Sequence, residues 1–246
     1  MKFGGTSVGS AQRMKGVASL INDREDKIVV LSAMSGTTNS LVEICGYLAN
    51  NNPEGANEVI NKLDTLYRRH INELFSTEEY KQQTLSLVRE VFNYLRSFTK
   101  QLFTSVEERI ILAQGEIIST NMVTNYLKEQ GISAHLIAAL DYMRTDKNGE
   151  PDATYIKEKL TDVLASSPKA QIYITQGFIC RNINGEIDNL QRGGSDYTAS
   201  LIGAAIGASE IQIWTDIDGM HNNDPRIVEG TNAVRHLHFE EAAELG

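Results

Sequence analysis

The apolar positions in the first fifty residues change repeatedly between two spacings. Between Met14 and Ile21 they recur at i, i+3, i+4 and i+7, which predicts an amphipathic helix with one buried face. The run IVVL at 28–31 is continuously apolar, as is typical of a strand covered on both faces in a parallel sheet. Helical spacing returns at 41–48. With a short strand at 1–3 in front, the order strand, helix, strand, helix predicts an α/β fold with a parallel sheet.

A different pattern occupies the middle of the chain. From about Glu54 to Leu102 strand signals disappear, charges are frequent and apolar residues keep helical spacing, which predicts a helical insertion. Helical spacing continues through 106–131 as one helix, with Gly131 as its C-terminal stop. Gly115 lies inside this helix, where glycine costs about 1 kcal/mol relative to alanine. We therefore expect a neighbouring backbone or a ligand to approach closely there.

The rest of the chain returns to alternating elements. We predict a helix near 152–165, a strand at 171–175, a hairpin turn at 184–185, a glycine-led helix after 192, a strand at 210–215 and a loop at 216–228. No internal repeat or low-complexity segment interrupts this order. The second half therefore continues the α/β organisation of the first.

Three turns rich in glycine, serine and threonine lead from predicted strands into predicted helices, at 4–7, 35–38 and 193–195. Glycine before a helix leaves backbone N–H groups open to an anion, and in a parallel α/β sheet such turns share one edge. Together they predict a phosphate-binding cradle. The P-loop pattern is absent because Lys2 precedes its glycines, and no dinucleotide fingerprint follows a predicted strand. Any one of these turns alone could be an ordinary tight connection.

Composition narrows the class of protein. The 246 residues carry a net charge of −9 with no basic run beyond the pair at 68–69, which argues against a nucleic-acid partner. No apolar run approaches the roughly 20 residues of a membrane span and no signal pattern is visible, so we expect no membrane partner and a cytoplasmic location. Cys45 and Cys180 lack metal-binding spacing, and we expect reduced, buried thiols. His236 and His238 have no third ligand in view, so no metal site is predicted.

Several stretches of the sequence carry a family resemblance. They are KFGGTSV at 2–8, LSAMSGTTN at 31–39, QGE at 114–116, TQGF at 175–178, RGGSDYTA at 192–199 and WTDIDGMHNNDPRIV at 214–228. In this order they resemble the aspartate kinases of the amino acid kinase family. The opening heptad and the RGGSDY string are specific to that group. The helical insertion resembles that of longer aspartate kinases, including those fused to homoserine dehydrogenase.

The resemblance implies a three-layer α/β/α sandwich with a mostly parallel central sheet. The aspartate-binding lobe would span about 1–200 and include the helical insertion at about 54–102. A partial nucleotide-binding lobe would span about 201–246. The implied reaction transfers the γ-phosphoryl group of ATP, with Mg²⁺, to the β-carboxylate of L-aspartate, in the biosynthesis of lysine, threonine and methionine. A homodimer is compatible with the resemblance. The chain stops before further segments of that family, so we expect a truncated piece of a larger enzyme with impaired catalysis.

The resemblance also implies roles for residues of the predicted cradle. Lys2 would be the cation that bridges the migrating phosphoryl group, with Gly4 and Gly5 adding backbone N–H donors toward ATP. Arg192 would grip a carboxylate of the substrate through its fork of donors, and Asp196 would order Lys2 and the substrate amine. Such a transfer needs positioning and cationic stabilisation more than acid–base catalysis.

The remaining implied residues divide between the two substrates. The aspartate pocket would be completed by Ser32, Thr38, Glu116, Phe178 and Ser195. The nucleotide loop would contribute Thr215, Asp216, His221 and Arg226. Within the pocket, Glu116 would accept the ammonium group of the substrate. Without the resemblance, Ser195 or Asp196 could be a helix N-cap and Glu116 a solvated helix charge.

Three other functions remain open at this point. Another amino acid kinase, such as a glutamate or acetylglutamate kinase, would share the fold. A noncatalytic nucleotide-binding module would bind ATP without turnover. An NAD-dependent dehydrogenase is disfavoured, because the dinucleotide fingerprint is missing from the sequence.

Overall fold

The structure is a computed structural model that describes residues 1–190, 193–216, 219–224, 227–238 and 240–241. Its helices are Ala11–Ile21 (α1), Thr37–Ala49 (α2), Pro53–Leu74 (α3), Glu78–Ser97 (α4), Ser105–Leu112 (α5), Gln114–Glu129 (α6), Ala153–Ser166 (α7) and Gly194–Ile206 (α8). Its strands are Lys2–Phe3 (β1), Lys27–Leu31 (β2), Ala134–Leu136 (β3), Ile172–Gln176 (β4), Ile179–Arg181 (β5), Ile187–Asn189 (β6) and Ile213–Trp214 (β7). Short 3₁₀ helices lie at Phe98–Lys100 and Ala139–Asp141. The chain divides into two compact units, Met1–Trp214 and Thr215–Gly246.

Strands β1 to β4 and β7 form one parallel sheet in the order β3-β4-β2-β1-β7. Its register aligns Phe3 with Leu31 and Leu31 with Gln176, so β1, β2 and β4 end at the same level. Strands β5 and β6 form a separate antiparallel hairpin. Its turn contains Gly185 with a φ of 84°, at the position predicted from the sequence. The carboxyl ends of the parallel strands therefore share one edge of the sheet.

Alternate residues of the central strand β2 point into two different cores, as the two-residue period of a strand requires. Val29 and Leu31 belong to a core built with α1 to α4 and α6, whereas Val30 belongs to a core built with α7 and α8. The sheet lies between two helical layers, which confirms the expected three-layer sandwich. The IVVL run is continuously apolar because both faces of β2 are covered. Within the described residues, no helix combines the length and the apolar character that crossing a bilayer requires.

The predicted helical insertion consists of α3 and α4, which pack into the first core. Pro53 is the first residue of α3, and the side chain of Asn52 accepts a backbone hydrogen bond from its first turn. The two helices are joined at Asp64, whose carboxylate lies 2.7 Å from Arg68 and 2.9 Å from Arg96. Because this carboxylate is largely buried, both guanidinium groups are needed to compensate its charge.

The prediction of one continuous helix over 106–131 is wrong, since the chain forms α5 and α6 on either side of Ala113. Ala113 keeps helical backbone angles (φ −67°, ψ −18°), and for this reason the apolar spacing runs through the boundary. Gly115 is the second residue of α6, and a Cβ there would lie 2.7 Å from the Cβ of Ala33. The expected close approach is therefore made by a neighbouring side chain. The stop at Gly131 is confirmed by its left-handed backbone, with φ of 71°. The strand predicted at 210–215 is limited to β7.

Gly115→Ala is expected to destabilise the protein, although alanine is the better helix former. The added methyl group must displace Ala33, and overpacking of a core costs about 1–3 kcal/mol, against about 1 kcal/mol gained from helix propensity. Gly16→Ala is the matched control, because Gly16 lies in α1 and a Cβ there meets nothing within 4 Å. It should raise the free energy of unfolding by about 0.5–1 kcal/mol. Urea unfolding measures both, and a stabilised Gly115→Ala variant would contradict the tight packing of α6.

Candidate functional site

A pocket of about 270 Å³ opens where β1, β2 and β4 end. It is lined by Lys2, Ser32, Thr38, Glu116, Phe178, Gly193, Gly194, Ser195 and Asp196. These residues arrive on strand ends and on the first turns of α2, α6 and α8, so the pocket collects groups that are distant in the sequence. It holds every residue predicted for the aspartate pocket that the structure describes. Arg192 lies outside the described residues.

The cation of the pocket is Lys2, the first residue of β1. Its Nζ lies 2.7 Å from Oδ1 of Asp196, in the first turn of α8. The lysine side chain is 12% exposed and the aspartate side chain 51%, so the ammonium group is held at the wall while the carboxylate faces water. A charge-assisted hydrogen bond of this length fixes the ammonium group in one place. The arrangement presents a positioned positive charge to whatever enters the pocket.

The turn after β1 lies against the turn after β2. The carbonyl oxygen of Gly5 accepts the N–H of Ser35 at 3.0 Å. A Cβ on Gly5 would lie 2.8 Å from the carbonyl oxygen of Ala33, and one on Gly4 would lie 3.6 Å from Nζ of Lys2. Only glycine fits at position 5, because the neighbouring atom is a backbone oxygen that cannot turn aside. Two of the predicted cradle turns are thus in direct contact.

Helices α2 and α8 begin without side-chain caps. Their N-cap residues are Gly36 and Gly193, both with left-handed backbones (φ of 83° and 81°) and neither with a capping side chain. The interpretation of Ser195 or Asp196 as an N-cap is wrong, because both lie inside the first turn of α8. Helix starts of this kind direct N–H groups and partial positive charge toward an anion.

Glu116 is an ionisable group buried at the rear of the pocket, and the interpretation of it as a solvated helix charge is wrong. The residue is 4% exposed, and its Oε1 accepts the N–H of Ala33 at 3.2 Å. Its Oε2 is buried and has no hydrogen-bond partner among the described residues. Burial raises the pKa of Glu116 to about 7, with the Ala33 N–H acting in the opposite direction. A buried carboxyl with one unsatisfied oxygen favours a cationic or hydrogen-bond-donating partner.

The backbone around Glu116 is held by hydroxyl and amide groups that sequence reasoning missed. Oγ of Ser119 donates to the carbonyl of Ser32 at 2.8 Å, and Oγ1 of Thr120 donates to the carbonyl of Glu116 at 2.7 Å. Nε2 of Gln176 donates to the same Thr120 hydroxyl at 2.9 Å. The available signal was the run of small polar residues in α6, where apolar residues would be expected on a buried face.

The end of β4 fits closely against the start of α8. A Cβ on Gly177 would lie 2.4 Å from Oγ of Ser195, and one on Gly194 would lie 3.0 Å from Cδ2 of Phe178. Phe178 itself has a positive φ of 69°, and its N–H donates to Oγ1 of Thr198 at 3.1 Å. A left-handed conformation in an aromatic residue is strained, and such strain is concentrated at binding sites. The sequence carries no pattern for this conformation.

Three of the residues predicted for the nucleotide loop, Thr215, Asp216 and His221, belong to the second compact unit. Oγ1 of Thr215 donates to Oδ1 of Asp216 at 3.3 Å, and Nδ1 of His221 lies 2.9 Å from Oγ1 of Thr231. Arg226 lies outside the described residues. In the part of the chain that the structure describes, no three His, Cys, Asp or Glu side chains come together as a metal site.

Comparison with known proteins gives relatives along the whole chain. The chain is 35% identical over 256 residues to aspartokinase 1, chloroplastic, of Arabidopsis thaliana, covering 100% of this chain and 44% of that protein. It is 34% identical over 256 residues to the lysine-sensitive aspartokinase 3 of Escherichia coli K12, covering 99% of this chain and 54% of the relative. The chain thus spans about half the length of the curated relatives it matches.

A solved structure shows the same fold. The crystal structure of E. coli aspartokinase III in complex with aspartate and ADP, in the R-state, superposes with a TM-score of 0.85 at 30% sequence identity. The match covers 99% of this chain and 54% of that one. The sequence profile described as the amino acid kinase family matches residues 1–246. On this evidence the chain belongs to the amino acid kinase family.

Proposed function

We propose that the protein containing this chain is an aspartate kinase, which transfers the γ-phosphoryl group of ATP to the β-carboxylate of L-aspartate and forms 4-phospho-L-aspartate. The observation that carries the proposal is one pocket with a positioned cation, Lys2, at its wall and a buried carboxyl, Glu116, at its rear. A small amino acid with a second carboxylate has charges that complement both groups. The similarity to aspartokinases, one of them solved with aspartate and ADP, supports the same assignment.

In this proposal the acceptor is held by its ammonium group. The ammonium donates to Oε2 of Glu116, which has no other partner among the described residues. The hydroxyls of Ser32, Thr38 and Ser195 line the same pocket and hydrogen-bond the substrate carboxylates. Arg192 is proposed, from the family resemblance, as the bidentate partner of one carboxylate. The other carboxylate is left facing the ammonium group of Lys2.

The chemical step needs no general base, because the attacking carboxylate is already ionised. One of its oxygens attacks the γ-phosphorus of ATP, the bond from that phosphorus to the β,γ-bridging oxygen breaks, and ADP leaves with the electron pair. Lys2 reduces the repulsion between the two anions and stabilises the charge on the transferred group. Asp196, 2.7 Å from Lys2, holds the cation at the point of transfer.

The nucleotide is proposed to enter as its Mg²⁺ complex, with the metal carried mainly by the phosphates. Backbone N–H groups at Gly4 and Gly5 are the proposed donors to the phosphates. Thr215, Asp216, His221 and Arg226 are the proposed nucleotide-loop residues. We accordingly assign about 1–200 to the acceptor side and about 201–246 to part of the nucleotide side.

Replacing Lys2 separates a kinase from a nucleotide-binding module. Lys2→Ala should lower the rate of acyl phosphate formation by about 10²–10³-fold, the effect typical of losing one transition-state charge partner, with a much smaller change in ATP affinity. Trapping the acyl phosphate as its hydroxamate measures the rate, with L-aspartate and L-glutamate compared as acceptors. Lys62→Ala, at an exposed lysine paired with Glu58, is the control. ATP binding without hydroxamate from L-aspartate, in this chain and in a version extended past Gly246, would exclude the kinase.

Glu116 gives the acceptor affinity a predictable pH dependence. The carboxyl has a pKa of about 7 without substrate and must be ionised to hold an ammonium group, so L-aspartate binding should strengthen as pH rises through about 7. Glu116→Gln should weaken binding by about 10- to 100-fold at pH 8, the contribution of a hydrogen bond to a charged group. It should also abolish this pH dependence. Calorimetric titration with L-aspartate from pH 6 to pH 8.5 tests both statements.

The same substitution should stabilise the protein without ligand. Because the folded pKa of Glu116 is raised from 4.5 to about 7, the folded state binds more protons than the unfolded state between those values, and stability falls as pH rises through them. Glu116→Gln removes this penalty, which is on the order of 3 kcal/mol at about 1.4 kcal/mol per pH unit. The variant should therefore show a higher Tm than wild type at pH 8 and a smaller difference at pH 5. An equal Tm at pH 8 would contradict the uncompensated burial of this carboxyl.

A further inference from the structure

The helical insertion is connected to the start of α2, next to the pocket, through one hydroxyl group. Tyr67 of α3 is fully buried, and its ring packs 5.9 Å from the ring of Phe92 in α4. Its Oη lies 2.9 Å from Oγ1 of Thr37, which is also buried. Residues 30 apart in sequence are thus joined by a hydrogen bond that water does not reach. The bond connects the insertion to the start of α2.

Thr37 stands between three parts of the site. It is the first residue of α2, and the next residue, Thr38, lines the pocket. Its Cγ2 would lie 3.2 Å from a Cβ at Gly115, the residue before Glu116. A shift of Thr37 would therefore move a pocket hydroxyl and change the packing against the residue before Glu116.

The first turn of α2 has no capping side chain. Its N-cap, Gly36, has no side chain, and its left-handed backbone is one that glycine adopts without strain. The N–H of Thr37 donates to the carbonyl of Met34 at 3.0 Å, and the N–H of Ser40 donates to the carbonyl of Gly36 at 3.1 Å. Among the described residues, the hydroxyl of Tyr67 is the side-chain group that anchors this turn from the insertion.

The protonation state of Tyr67 suits a permanent contact. Burial raises the pKa of the Tyr67 hydroxyl above its usual value, although the hydrogen bond with Thr37 acts in the opposite direction. The group is therefore neutral throughout the working pH range and keeps its hydrogen bond.

We infer that Tyr67 is a positioning residue for the acceptor pocket, which acts through Thr37 to hold Thr38 at a fixed place relative to Glu116. This inference rests on the proposed function, because the ligand that the pocket holds is taken to be L-aspartate. It gives the helical insertion a role in substrate affinity beyond its contribution to the core. Tyr67 does not line the pocket and takes no part in the chemical step.

The test separates positioning from simple core stability through a double-mutant cycle. Tyr67→Phe and Thr37→Val each leave one buried hydroxyl unpaired, so each should lower Tm. The double variant replaces both partners by apolar groups of similar shape, so it should recover much of the lost Tm. If the bond only stabilises the core, the affinity for L-aspartate should equal that of the wild-type protein in all three variants. If the bond positions the pocket, affinity should stay reduced in all three variants.

The expected loss of affinity for L-aspartate is about 2- to 10-fold, corresponding to the net contribution of one neutral hydrogen bond. Isothermal titration with L-aspartate measures it, and titration with ADP should give an unchanged dissociation constant. Thr37→Val and the double variant keep the test decisive if Tyr67→Phe does not fold.

Tyr142→Phe is the matched control. Tyr142 is also fully buried, and its hydroxyl lies 2.7 Å from Oγ1 of Thr175, but it packs in the second core with α7 and α8. Loss of the Tyr142 hydroxyl should lower Tm without changing the affinity for L-aspartate. If Tyr67→Phe binds L-aspartate with the same affinity as the wild-type protein, the inference is overturned and the proposed function stands. No binding of L-aspartate by the wild-type protein would overturn both.

Discussion

The register of three parallel strands is the constraint on which the rest of the structure depends. Because Phe3, Leu31 and Gln176 end their strands at one level, the turns that follow must share the space beyond that edge. The space is small enough that Gly5 and Gly177 have no room for a side chain. The same crowding brings a lysine from β1 within 2.7 Å of an aspartate from α8. The pocket is thus a result of strand alignment, and its polar groups are carried there by elements that the hydrophobic cores have already fixed.

The pocket also concentrates features that oppose folding. Glu116 is buried with one oxygen unsatisfied among the described residues, and Phe178 adopts a left-handed backbone that suits glycine better. These features are tolerated because many contacts hold the surrounding structure in place. Buried hydrogen bonds hold α6 against the strand ends, and they are made by Ser119, Thr120 and Gln176. A cationic group that enters the pocket relieves the strongest of these conflicts. Relief of this unfavourable burial then contributes to the free energy of substrate binding.

The sequence was sufficient for most of the helices and strands, and the resemblance was sufficient for the pocket residues that the structure describes. Apolar spacing predicted α1, α2 and β2 because each buries a continuous face, and the resemblance supplied the pocket residues because motifs at strand ends are local in sequence. Prediction from the sequence failed where the decisive contact joins residues that are far apart in the sequence. The boundary at Ala113 has no signal, since its backbone angles are helical, and the burial of Glu116 depends on Ala33, which is 83 residues away. Tyr67 and Gln176 were missed for the same reason, because the sequence does not show what faces a buried polar side chain.

The position of β1 in the sheet has a consequence for the order in which the protein can form. Strand β1 precedes the other strands of the sheet in the sequence, lies between β2 and β7, and pairs with β7 by aligning Lys2 with Ile213. At roughly 5–20 residues per second, β7 is synthesised roughly 10–40 s after β1. During that interval one edge of β1 lacks β7, and for most of it Asp196, the partner of Lys2, has not been synthesised. The pocket is therefore among the last parts of this unit that can be completed, although Lys2 precedes its other residues in the sequence.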